Sequence, residues 1–506
     1  MNFGQWPQKW AQLSPSREAI KYGDLTLTWR RFNERVNQAA QALQANGLKK
    51  GDRVAVLMGN NNQYLEIMFA LAKTGGMMTP LNFRLSVPEL QFIINDCTPA
   101  ALVYSPEFTE VVRGLRGLCP SLHAFICETA GSALGDPDYE SWIGGRSVEE
   151  PVPDEEVGLD DTVIIMYTSG TTGRPKGARL LHQNMIWNGV NSQVVNAYTQ
   201  DDVSLCSAPM FHIGAMNVSV TPMLYAGGKV VVQRFFDPGG ALKLLAGEKA
   251  SLMFGVPVMF QFMTMVPEWQ AADFSHLRFF VAGGAPCSRD LIKTYLAKDA
   301  HFVQGYGMTE TAAGLSLLTA AHALDKIGSA GQPLFHAELK IVDLQGNGLG
   351  PNQVGEIIAK GPNIIREYWN LPEETSRNFH DGWLHTGDMG YLDEDGFLYI
   401  TDRKKDMYIS GGENVYPAEV ESILLGFPQI TEVAVIGVPD DKWGETGLAI
   451  VTPASGVEFS EEAFFAYCKE NLAGYKRPRK VIVSDKPLPR TATGKLIKKD
   501  LRKTHG

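Results

Sequence analysis

Strand-like and helix-like periodicities alternate through the first half of the chain. Thr28 precedes an apolar stripe at Phe32, Val36, Ala39 and Leu43, spaced three or four apart and ended by Gly47, which predicts a capped amphipathic helix. A continuous apolar run follows at 54–58, then a helical stripe at 64–72, a short run entering Pro80, a helical segment at 89–94 and a further run at 101–104. Short apolar runs separated by helices predict parallel sheet with helices on its faces. The pattern resumes from His182 through Val231 and again at 279–281, whereas 129–160, rich in Gly, Pro and acidic residues, reads as a connecting segment.

The texture changes towards the C-terminus. Residues 391–400 read as a hairpin around Asp395-Gly396, and the polar run 402–406 then precedes a new compact unit with a helix at 417–425, a strand at 432–436 and a helix at 461–472. A domain boundary is therefore expected at 402–406, since about 100 residues suffice for a separate small core.

Composition narrows the class. At 506 residues the chain exceeds the size of one growing core, and 44% hydrophobic with 20% charged residues is ordinary for a globular protein. There is no apolar run near the roughly 18 residues of a membrane helix. The first residues lack both a basic start and an apolar stretch, so a cytoplasmic location is expected. Cys97, Cys119, Cys127, Cys206, Cys287 and Cys468 are scattered, without the spacing of a zinc site or a disulfide framework, and read as small buried hydrophobes.

Net charge is −10, yet 476–503 carries eleven Lys and Arg against Asp485 and Asp500. That basic tail suits polyphosphate ligands. A nucleic-acid partner is not expected, because the acidic remainder would repel a duplex and no aromatic residues interleave the basic ones in a binding motif.

The densest chemistry lies at 167–177, Tyr-Thr-Ser-Gly-Thr-Thr-Gly-Arg-Pro-Lys-Gly, directly after the apolar run 163–166. Hydroxyls of Thr168, Ser169, Thr171 and Thr172 interleave with Gly170 and Gly173 ahead of Lys176. Glycines let backbone N–H groups approach an anion, hydroxyls add donors and the lysine adds a mobile charge, so the segment reads as a phosphate cradle. Its spacing fits neither the Walker pattern nor the dinucleotide fingerprint.

This cradle resembles the signature of the adenylate-forming superfamily, and later segments resemble that family's motifs in the family's order. They are Gly283-Gly284-Ala285-Pro286, the run 304–311 from Gln304 through Gly305, Tyr306, Gly307, Met308, Thr309 and Glu310 to Thr311, the run 382–388 ending in Asp388, the run 402–406 with Arg403 and Lys405, the run 411–417 opening on Gly411 and Gly412, and 489–495 ending in Lys495. The resemblance is to acyl-CoA synthetases, nearest to bacterial fatty-acyl-CoA synthetases and feruloyl-CoA synthetases. It implies an α/β fold with a large N-terminal domain, 1–401, of parallel-rich layered sheets plus a β-barrel-like subdomain. It also implies a hinge at 402–406 and a mobile α+β lid, 407–506, that carries the catalytic lysine.

The same resemblance implies the chemistry. A carboxylic acid attacks the α-phosphate of ATP, pyrophosphate leaves, and CoA takes the acyl group from the adenylate. Two like unit charges about 4 Å apart repel by roughly 4 kcal/mol at an effective dielectric near 20, so cations must neutralise the reacting phosphates. By resemblance Glu310 holds Mg²⁺, Lys495 bridges the acid and the α-phosphate, and Thr168, Ser169, Thr171, Thr172 and Lys176 grip the β- and γ-phosphates. Thr309 takes the α-phosphate, Tyr306 stacks on adenine, and Asp388 with Arg403 clamps the ribose. Gly411 and Gly412 fit the wall of the pantetheine tunnel, and Trp443 and Lys476 are candidates for the CoA nucleotide.

By resemblance His212 occupies the family's aromatic position at the mouth of the acyl pocket, as a gate or a base. Phe211, Met216, Phe254, Val258, Met259 and Met308 suggest an apolar pocket, and with no Lys or Arg in 206–218 or 254–262 a second carboxylate on the substrate is disfavoured. A medium- or long-chain fatty acid is the expected substrate. A hydroxycinnamate, or loading of a carrier protein by a stand-alone adenylation enzyme, is the alternative. Peripheral membrane contact and a homodimer stay open.

Overall fold

In a computed structural model of the chain the expected alternation becomes two layered sheets. The structure describes every residue except 1, 169–174, 286, 404–405, 411–412, 441–442, 473, 491–495 and 506, and no side chain at 402, 403, 413 or 414. Contact density divides the chain into one unit of 1–338 with 359–384 and a second of 339–358 with 385–506.

In the first unit, a six-stranded sheet runs in the order Ala124–Cys127, Ala101–Tyr104, Arg53–Leu57, Met77–Pro80, Thr162–Thr168, Lys176–Leu181. The neighbours are parallel except the last pair, which is antiparallel and brings Thr168 opposite Lys176. The two strands that flank the cradle therefore pair with each other and are largely buried in the sheet. The helices between these strands start where expected. Thr28 accepts from Arg31 N at 3.3 Å to open Trp29–Ala45, and Asn61 accepts from Tyr64 N at 2.7 Å to open Asn62–Thr74.

A nine-stranded sheet completes this unit. Its central strands, Phe302–Tyr306, Phe279–Gly283, Leu252–Gly255, Val203–Cys206, Lys229–Val232 and Glu18–Tyr22, are mutually parallel, and antiparallel strands flank both edges. Gly283 lies in register with Gly305, so the carboxyl ends of two adjacent parallel strands bring the start of the 283–286 motif and that of the 304–311 motif side by side. Ligands in open α/β sheets bind beyond such strand ends.

The stretch 129–160 does more than connect. Asp138 caps a short helix, Tyr139–Ile143, that buries Tyr139, Trp142 and Ile143. Glu140 meets Arg35 at 2.6 Å and Glu150 meets Lys73 at 2.6 Å. Its charged residues pair with buried cations on the helices, which the local Gly, Pro and acid content did not reveal.

A five-stranded sheet runs Glu338–Val342, Gly355–Lys360, Trp383–Leu392, Phe379–His380, with Leu398–Arg403 beside Trp383–Leu392. The expected hairpin is present, with Tyr391 opposite Tyr399 and their rings stacked at 5.0 Å. The polar run 402–406 lies inside the second unit, where Leu398–Arg403 packs against helix Pro417–Leu424. Lys405 itself is outside the described residues.

The C-terminal sheet is ordered Glu413–Val415, Tyr408–Ser410, Gly444–Pro453, Ile430–Asp440, with Lys480–Val483 parallel to Gly444–Pro453. Helices Pro417–Leu424 and Glu461–Asn471 contribute Val420, Leu424, Phe464 and Cys468 to its core. All six cysteines are free and buried. Burial pushes the thiols of Cys97 and Cys468 up to about 11 and those of Cys206 and Cys287 to about 12, so they pack as hydrophobes. Among the described residues no helix is long and apolar enough to cross a membrane.

Candidate active site

Strand Phe302–Tyr306 ends in a tight 3₁₀ turn, Thr309–Thr311, that buries Glu310. Thr311 closes the turn on itself: its hydroxyl accepts from Met308 N at 2.9 Å and donates to Met308 O at 3.0 Å. Gly307 is required by space, since a Cβ there would sit 1.8 Å from Ala313 O. Ala312 and Ala313 hold φ of 50° and 88°, conformations that non-glycine residues adopt only when the surroundings enforce them. The enforcement comes from two asparagines. Asn217 Nδ2 donates to Ala312 O at 3.3 Å, and Asn363 Nδ2 donates to Thr311 O at 2.9 Å and Gly314 O at 2.8 Å.

The segment 363–378 joins this turn to the cradle strand. Ile365 N donates to Glu310 O at 2.9 Å, and Trp369 N donates to Gly177 O at 2.7 Å. Between them Tyr368 donates its phenolic hydrogen to Glu310 Oε1 at 2.8 Å, while its ring centroid lies 5.3 Å from Lys176 Nζ. Burial, and then the Glu310 charge, push the Tyr368 phenol well above its ordinary range, so it stays protonated and a donor. Lys176 is buried and paired with Glu374, whose carboxyl that hydrogen bond holds below the usual carboxylate range.

Glu310 Oε2 accepts from no described residue. One carboxylate with an open oxygen has the donor chemistry of a hard cation such as Mg²⁺, and among the described residues no cluster of three or more His, Cys, Asp or Glu offers an all-protein cage.

The apolar cluster expected as a pocket is built around Phe254, near the end of Leu252–Gly255. Its ring occupies the space between two glycines: a Cβ on Gly214 would lie 2.7 Å from Phe254 Cζ, and one on Gly283 would lie 3.0 Å from Phe254 Cε2. The His212 ring stands 4.3 Å from Phe211, which meets Phe83 edge-on at 4.8 Å. Burial, and then Arg84, lower the His212 imidazole to about 4, so it is neutral at pH 7. The windows 206–218 and 254–262 carry no Lys or Arg, and the cation that acts electrostatically on His212 is Arg84, from a separate turn. Phe211, Met216, Phe254 and Met259 are buried, whereas Val258 is exposed on helix Pro257–Thr264.

Of the expected site residues in this unit, the structure gathers Lys176, Gly283, Gly305, Gly307, Met308, Thr309 and Glu310 on adjoining strand ends and turns, with Thr168 and Tyr306 half-buried at theirs. Gly284 and Ala285 follow Gly283 and are exposed. Ser169, Gly170, Thr171, Thr172 and Pro286 are outside the described residues. Sequence reasoning missed Tyr368, Glu374, Asn363 and Asn217.

In the second unit, Asp388 is buried and stands opposite Arg403 in the antiparallel register; the Arg403 side chain is not among those described. Lys476 is engaged by Glu419 at 2.5 Å, and the Arg479 guanidinium lies 5.1 Å from the Trp443 ring. Gly411, Gly412 and Lys495 are outside the described residues.

Comparison with known proteins decides the family. The family model described as AMP-binding enzyme matches residues 7–369, and that described as AMP-binding enzyme C-terminal domain matches 419–495. The chain belongs to the AMP-binding enzyme family of adenylate-forming proteins.

It is 43% identical to a feruloyl-CoA synthase of Amycolatopsis sp over 503 residues, covering 99% of both chains. It is 37% identical to a long-chain-fatty-acid–CoA ligase of Mycobacterium tuberculosis, covering 100% of this chain and 98% of the other. An o-succinylbenzoate coenzyme A synthetase from Bacillus subtilis, solved in complex with ATP and magnesium ion, superposes with a TM-score of 0.86 at 32% identity, covering 98% of this chain and 99% of that one. The protein is an AMP-forming, ATP-dependent acyl-CoA ligase.

Proposed function

We propose that this ligase activates planar aryl-bearing acids of the hydroxycinnamate type and transfers them to CoA. The observation that carries this is Phe254, wedged between Gly214 and Gly283 beneath the His212 turn. A rigid ring there favours a flat, short acyl group stacked on aromatic walls over a long flexible alkyl chain. The 43% identity to a feruloyl-CoA synthase over almost the whole chain supports the same reading. A fatty acid, expected from the sequence, is the second reading, supported by the 37% relative that takes long-chain fatty acids.

The roles are those that the resemblance to adenylate-forming enzymes implies for these residues. The acid's carboxylate oxygen attacks the α-phosphorus, the P–O bond to the β-phosphate breaks, and pyrophosphate departs. Lys176 and the 168–173 cradle carry the β- and γ-phosphates, and Thr309 the α-phosphate. Mg²⁺ bound at Glu310 would supply charge neutralisation at the phosphate oxygens. Tyr306 faces adenine, and Asp388 with Arg403 accepts and completes the ribose contacts. Lys495, delivered by the 407–506 lid turning about 402–406, offsets charge between acid and phosphate. The CoA sulfur then attacks the acyl carbonyl and AMP leaves, with Gly411, Gly412, Trp443 and Lys476 along the CoA path. His212 is neutral and serves as a gate, since a carboxylate nucleophile needs no base.

Pyrophosphate exchange with ferulate, 4-coumarate and C6 to C16 fatty acids, followed by thioester formation with free CoA, tests the reading. Exchange strongest with the phenylpropenoic acids is expected. A preference for C12 or longer would replace it with the fatty-acid reading.

A further inference from the structure

We infer that Glu374 is a positioning residue for the triphosphate: it fixes the ammonium of Lys176 in the orientation that reads the β- and γ-phosphates. This rests on the assignment of Lys176 to those phosphates. Glu374 lies in the first turn of helix Pro372–Asn378 and pairs with Lys176 across 198 positions of sequence. Both side chains are largely buried, at 9% and 14% exposure, so this pair is not one of the loose surface contacts whose geometry wanders.

The carboxylate is itself held. Asn378 Nδ2 donates to its Oε1 at 3.1 Å, and Arg377 lies 3.7 Å from Oε2. The helix is anchored in turn, because Thr375 Oγ1 accepts from Tyr368 N at 3.0 Å and donates to Leu371 O at 2.9 Å. The same Tyr368 presents its ring to the Lys176 ammonium and its hydroxyl to Glu310.

A lysine ammonium is a point charge on a flexible four-carbon stem with three donors. Glu374 takes one donor and the Tyr368 face lies beside the charge, which leaves two donors for phosphate oxygens in a restricted direction. Without Glu374 the stem regains its rotamers, and the affinity that depends on Lys176 falls. A ligand lacking the β- and γ-phosphates does not use Lys176, so it does not register the loss.

The experiment is a comparison of two ligands on Glu374→Gln, an isosteric change that removes the charge. Binding of α,β-methylene-ATP and of AMP is measured by calorimetry on the full chain, with Lys176→Ala and the double variant alongside. The expected result is a 5- to 20-fold weaker triphosphate analogue with AMP affinity kept within twofold, and no further loss when Glu374→Gln is added to Lys176→Ala. Equal losses for both ligands, an unchanged or tighter triphosphate, or additive losses in the double variant would overturn the proposal. If Glu374→Gln has no effect while Lys176→Ala weakens the triphosphate, the positioning role fails and the phosphate assignment stands. If Lys176→Ala also changes nothing, both fall.

Discussion

Tyr368 hydrogen-bonds Glu310 through its hydroxyl and faces Lys176 with its ring, so one side chain ties the carboxylate suited to a metal to the cation suited to the phosphates. Tyr368→Phe keeps the ring and removes the donor. Residues that orient a metal ligand typically change metal affinity 10- to 100-fold when lost. The expected outcome is a rise of about tenfold in the free Mg²⁺ giving half-maximal adenylation, with the ATP-analogue affinity in saturating Mg²⁺ little changed. Titration of pyrophosphate exchange against Mg²⁺ reads it, and an unmoved midpoint rules the role out.

Gly307 and Gly305 differ in what an added methyl would meet. At Gly307 it would collide with Ala313 O at 1.8 Å, a backbone atom tied into the strained turn, while at Gly305 the nearest atom is Leu317 Cδ1 at 3.4 Å. Gly307→Ala should lower adenylation by at least 100-fold or prevent folding, and Gly305→Ala should cost a few-fold at most. Equal effects of the two changes would show that the turn is not held as described.

Lys495→Ala is expected to reduce the adenylation rate by about 10²- to 10³-fold, the usual consequence of removing one electrostatic donor to a transition state. ATP binding should persist. A rate within threefold of the parent in rapid-quench assays would remove Lys495 from the first half-reaction.

Phe254 limits the acyl site in the proposed reading. Phe254→Ala opens space between Gly214 and Gly283, at a stability cost of about 3–5 kcal/mol for a buried aromatic. The ratio of kcat/KM for decanoate over ferulate should rise at least tenfold. A ratio that stays put would mean that another residue sets the length of the acid.

His182 supplies a pH test of the core. It is fully buried beside Phe3, with neither ring nitrogen hydrogen-bonded among the described residues, and burial lowers it to about 4; Asp161 and Lys50 are the charges that act on it. Its folded pKa lies below the unfolded value, so the unfolded chain binds the proton more readily as pH falls. Stability is complete above about pH 6.5 and declines between there and pH 4, by up to about 3 kcal/mol from this residue. Urea midpoints followed from pH 7 to 4 should fall less steeply in His182→Leu. An identical slope would assign the acid sensitivity elsewhere.

Much of the site was legible because its motifs are local. Gly307, Glu310 and Thr311 form one turn, and the reason for each type, room for a carbonyl, a buried carboxylate, a hydroxyl closing on Met308, lies within a few residues. Asn217, Asn363, Tyr368 and Glu374 were not legible. Each is a single polar residue in an unremarkable stretch, and its partner lies far along the chain, 58 positions away for Tyr368 and 198 for Glu374.

Periodicity alone determined the layered α/β architecture, the cradle strand and the hairpin at 391–400, because burial faces and turn requirements are written at short range, and the resemblance of the ordered motifs to a known family carried the adenylate-forming chemistry. Tertiary structure decided which side chain orients which. Phe254 fills the gap between Gly214 and Gly283, Tyr368 meets Glu310, and Glu374 meets Lys176, because packing joins residues whose separation in sequence carries no record of their contact.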